Sequence, residues 1–65
     1  MKRAELMKRL RKLAKATDVE LTFVREGANH ELWEFGSFRC VIPRHTEINE
    51  ITANGILKAC EESER

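Results

Sequence analysis

His30-Glu31-Leu32-Trp33-Glu34-Phe35-Gly36-Ser37-Phe38-Arg39-Cys40-Val41-Ile42 decides the fold of this 65-residue chain. Two runs rich in aromatic and branched residues flank Gly36-Ser37, a two-residue loop with glycine at its first central position. That is the requirement of a type II′ hairpin turn. The loop length sets the register of strands His30–Phe35 and Phe38–Ile42. Phe35 should pair with Phe38, Trp33 with Cys40, and Glu31 with Ile42. These pairs share a mostly apolar face, and Trp33 belongs on it as a core residue. The other face pairs Glu34 with Arg39, Leu32 with Val41, and His30 with Pro43, and should be open to solvent.

Working outward, Val19–Arg25 alternates with Val19, Leu21 and Phe23 on one side and reads as a preceding strand. Glu26-Gly27-Ala28-Asn29 is the turn between them. Before it, Leu6, Met7, Leu10, Leu13 and Ala14 recur at helical spacing, so Arg3–Ala16 is expected to be an amphipathic helix. After the hairpin, Asn49 is a suitable N-cap for a helix from about Glu50 to Glu61. Its inward stripe is Ala53, Ile56, Leu57 and Cys60. Glu61, Glu62 and Glu64 oppose the dipole at its C-terminus, so that end is expected to fray.

The order α-β-β-β-α predicts an α+β domain, residues 1–65, with a three-stranded antiparallel meander covered on one face by two helices. Double-stranded-RNA-binding domains have this architecture. A chain this short has a small core. Cys40 and Cys60 lack metal-ligand spacing and read as small buried apolar groups, which suits a reducing, cytoplasmic setting. No apolar run is long enough to cross a membrane.

Charge is distributed unevenly. Residues 1–16 carry seven cations and one anion, a net of +6, whereas residues 17–65 carry five cations and ten anions, a net of −5. A cationic helix on an acidic body suits a polyanion or an acidic protein partner. Lys8, Arg9, Arg11, Lys12 and Lys15 lie on the face opposite the apolar stripe. Lys2 and Arg3 sit against the helix dipole, which hints at a role toward a partner.

Few residues can carry chemistry. The cysteines and histidines form no metal-ligand motif, Ser37 and Ser63 have no histidine at catalytic spacing, and no phosphate-cradling glycine loop is present. His30 remains, at the start of its strand on the open face. Arg44 and His45, which follow Pro43, should share that end of the sheet. An imidazole exchanges a proton near neutral pH, and an arginine can stabilise charge on a phosphate. Attack of an RNA 2′-hydroxyl on its own phosphodiester needs those two aids and no metal or cofactor. A surface histidine with no chemical role fits the same spacing.

These residues resemble the HicA family of toxin–antitoxin systems. The likeness lies in the opening basic helix, in Gly27-Ala28-Asn29-His30 set against the family's Gly-Ser-x-His turn, in Val41-Ile42-Pro43-Arg44-His45, and in Ile56-Leu57. It spans nearly the whole chain. The resemblance implies a cytoplasmic, metal-independent endoribonuclease acting on mRNA, with His30 catalytic and a HicB-type antitoxin covering the site. Gly27, Ala28, Asn29, Arg44 and His45, with Lys8, Arg11, Lys12 and Lys15, would hold single-stranded RNA. Ala28 departs from the family's serine and leaves only its backbone N–H to meet a phosphate. Asn54-Gly55 replaces better helix formers. Two other readings stay open: a non-catalytic RNA-binding module, and a protein-interaction domain that docks its basic helix on an acidic partner.

Overall fold

In the computed structural model, which describes residues 1–64, α1 (Arg3–Ala16), β1 (Leu21–Glu26), β2 (His30–Phe35), β3 (Phe38–Pro43) and α2 (Glu50–Ser63) follow in the expected order. The three strands form one antiparallel sheet in the order β1-β2-β3. Every β2–β3 pair anticipated from the Gly36-Ser37 loop is present, from Phe35 with Phe38 to His30 with Pro43. Gly36 has φ +64° and no other residue of that loop has positive φ, which is the backbone a type II′ turn needs.

Both helices cover the face that carries Phe35, Cys40 and Ile42. Leu6, Met7, Leu10 and Ala14 of α1, Ala53 and Cys60 of α2, and Ile48 complete the buried cluster. Beside Cys40 and buried with it, the Cys60 thiol has its pKa raised above the usual thiol range. Asn49 caps α2 by accepting from the Ile51 N–H at 2.8 Å. The far end of α2 runs beyond Glu61 to Ser63, whose hydroxyl donates to the Cys60 carbonyl at 2.7 Å. A side-chain bond and core packing thus offset the unfavourable charges, and the expected fraying at Glu61 is not seen.

The first strand differs more from expectation. It starts at Leu21, not Val19, because the end of α1 takes up the intervening residues. Asp18 adopts φ 59°. The Val19 N–H bonds the Ala14 carbonyl at 2.9 Å and the Asp18 N–H bonds that of Lys15 at 3.3 Å. This pair of bonds is a Schellman motif. β1 also carries a bulge: Phe23 pairs with Trp33, but the next pair is Arg25 with Leu32. Val24 is the extra residue. β1 is an edge strand, exposed along most of its length. Phe23, though 45% exposed, meets Trp33 edge to face at 5.5 Å.

Candidate functional site

The two faces of the sheet divide the chemistry. On the helix-covered face, Glu31 interrupts the apolar side chains of β2, Trp33 and Phe35, and it is sheltered. Its Oε1 accepts from the Trp33 indole at 2.9 Å and from the Arg3 guanidinium. Arg3 also donates to the Pro43 carbonyl at 2.9 Å. Arg3 therefore stitches the start of α1 to β2 and β3. Its unfavourable place at the helix N-terminus is explained by a partner within the fold, not an external one. The Trp33 hydrogen bond, followed by the charge and hydrogen bond of Arg3, holds the Glu31 carboxyl below the usual carboxylate range, although burial opposes this.

On the open face, His30 is exposed at the start of β2. Its ring lies close to Gly27: a methyl group built on Gly27 would stand 3.2 Å from Nε2 and 3.3 Å from Cδ2. The Gly27 N–H bonds the His30 carbonyl at 2.7 Å, which closes the turn through Ala28 and Asn29. His30, Arg25, Gly27, Leu32 and Val41 line a small cleft of about 160 Å³.

Arg25 was not among the anticipated residues. Simple alternation along β1 puts it on the Phe23 face, toward the helices. The bulge at Val24 moves it to the Leu32 position, and Leu32 shares the open face with His30. No composition or turn signal marks such a bulge, so the placement was hidden in the sequence. The apolar walls, Leu32 and Val41, were legible from the hairpin register.

Arg44 reaches the same end of the sheet but not the imidazole. Its backbone N–H bonds the Asn29 carbonyl at 3.1 Å and so ties the segment after β3 to the turn. Its guanidinium points to Glu26 at 3.5 Å and Glu31 at 4.0 Å, on the helix-covered side. Pro43 shares the face of His30, and the next residue along an extended chain points the other way. Arg44 thus shares the end of the sheet with His30, as expected, with its guanidinium turned to these carboxylates. His45 is exposed after β3 and does not line the cleft.

Lys8, Arg11, Lys12 and Lys15 are exposed on α1. The apolar stripe of α1 faces the sheet, so this basic surface looks away from it, opposite the face of His30. Arg11 and Lys15 come nearest the other side. They line a cleft with Asp18, Val19 and Leu21, where β1 begins. Arg25 stands near the far end of that edge strand.

Among the described residues, no three His, Cys, Asp or Glu side chains are grouped to hold a metal ion, and no helix is long and apolar enough to cross a membrane. No family model, curated protein or solved structure matches the chain.

Proposed function

We propose that the chain is an endoribonuclease of the HicA kind, cleaving single-stranded RNA with His30 as its catalytic residue. The observation that carries this reading is the exposed imidazole over Gly27, in a cleft it shares with Arg25.

In this mechanism the ribose 2′-hydroxyl attacks the adjacent phosphorus. The P–O2′ bond forms and the P–O5′ bond breaks, leaving a 2′,3′-cyclic phosphate and a 5′-hydroxyl. His30 makes one of the two proton transfers, a role worth typically 10²–10⁴-fold. Water makes the other. Arg25 takes the part first given to Arg44 and stabilises charge on the phosphate. Leu32 and Val41 offer an apolar surface to a base or ribose. The RNA backbone runs from Arg25 along the β1 edge to Arg11 and Lys15, with Lys8 and Lys12 adding attraction at longer range. This path is needed because the basic surface and the imidazole lie on opposite sides of the sheet. The resemblance to HicA further implies a HicB-type antitoxin that covers the cleft.

The test is cleavage of a single-stranded RNA oligonucleotide, alongside one with a 2′-deoxy residue at the cut site. His30→Ala should lose at least 10²-fold in rate, and the deoxy substrate should resist cleavage. Arg25→Ala should lose more activity than Arg44→Ala. Expression in cells should arrest growth and deplete mRNA with the parent chain but not with His30→Ala. Equal rates for parent and His30→Ala would overturn the assignment.

A further inference from the structure

On the outer side of the helical layer, α1 and α2 leave an open trough of about 490 Å³. Its floor is aliphatic: Leu13, Ala16 and Leu57. Its rim carries Arg9, Lys12, Lys58 and the carboxylate of Glu61; Arg9 is already paired with Glu5 at 2.8 Å. Arg9, Lys12, Leu13 and Ala16 follow each other at i, i+3, i+4 and i+7, so they form one continuous wall about 10 Å long. Lys12 and Lys58 make no ion pair among the described residues.

We infer that this trough docks an acidic amphipathic helix of a partner protein, with its apolar stripe on Leu13, Ala16 and Leu57 and its carboxylates against Lys12 and Lys58. Three features select that occupant. Two helices with an apolar groove between them offer a surface that a third helix packs into. The excess of rim cations asks for carboxylates on both flanks of the incoming stripe. The floor has no aromatic ring on which bases could stack, which disfavours single-stranded RNA there. The trough lies on the opposite side of the molecule from His30, so the inference stands independently of the ribonuclease reading.

The test uses the full chain, isotopically labelled, titrated with a synthetic helical peptide. The peptide carries leucines at i, i+3, i+4 and i+7 with glutamates beside them. A control has the same residues in scrambled order. The intended peptide should shift the amides of Leu13, Ala16, Leu57 and Lys58 and leave those of Arg25 and His30 unmoved. Lys58→Glu should weaken binding roughly tenfold at low salt, with the gap narrowing as salt rises. Ala16→Trp fills the trough from an exposed helix position and should abolish binding, with the rest of the amide spectrum reporting an intact fold. Four results would overturn the inference: no shifts at millimolar peptide, equal binding of the scrambled control, an RNA oligonucleotide that displaces the peptide from the same residues, or self-association of the chain through them. RNA cleavage by His30 is read separately, in the oligonucleotide assay.

Discussion

Removing the Glu31 carboxylate should destabilise the fold by a large share of its total. The side chain accepts from Trp33 and Arg3 while only 17% exposed, and Arg3 is itself 25% exposed. A hydrogen bond to a charged group is worth about 1.5–3 kcal/mol and a neutral one about 0.5–1.5 kcal/mol. Glu31→Ala deletes both bonds and leaves the Trp33 N–H and the Arg3 Nη2 without their acceptor, while Arg3 Nε keeps the Pro43 carbonyl. Partial solvation discounts the sum, so a loss of roughly 2–3 kcal/mol is expected. A domain of this length has about 3–10 kcal/mol of stability in total. Glu31→Gln keeps an acceptor but not the charge and should lose roughly 1 kcal/mol. Urea unfolding of the three proteins at neutral pH measures both differences. The pH dependence has a definite sign. The folded carboxyl is depressed below its ordinary value of 4.5, so its contribution is present above that value and disappears as pH falls through the lower, folded one. The gap between the parent and Glu31→Gln should therefore shrink in acid. Were Glu31→Ala as stable as the parent, or the gap to the glutamine variant independent of pH, the carboxylate would not join α1 to the sheet as described.

Three further outcomes follow from backbone geometry. Gly27→Ala places a methyl 3.1 Å from the His30 carbonyl and 3.2 Å from its Nε2; RNA cleavage should fall by more than the thermal midpoint suggests, with the imidazole resonances displaced in an NMR spectrum. Gly36→Ala forces a side chain into φ +64° and to within 3.3 Å of Val19 Cγ1, so chemical unfolding should show a loss of about 1–2 kcal/mol. Asp18→Gly relieves φ 59° at the end of α1 and should raise stability by up to about 1 kcal/mol in the same unfolding measurement.

Much of the architecture was legible before any coordinates, because it rests on short-range rules. Gly36-Ser37 admits one tight turn, and that turn sets every pair between β2 and β3. The spacing of Leu6, Leu10 and Ala14 gave α1 its buried stripe, and Asn49 marked the start of α2. The exposure of His30 followed from its pairing with Pro43.

Other features were decided only by the assembled molecule. The extra residue at Val24 is a property of how two strands match across a gap, not of either strand alone, and it turns Arg25 from the helix side to the imidazole. Glu31 looked like an exception in an apolar row until Arg3, distant in the chain, was brought against it. The basic face of α1 and the histidine each had a visible sequence signature, but their separation to opposite sides of the sheet did not. Periodicity tells which residues share a face of one element, whereas which faces meet is settled by the packing of elements that are far apart in sequence.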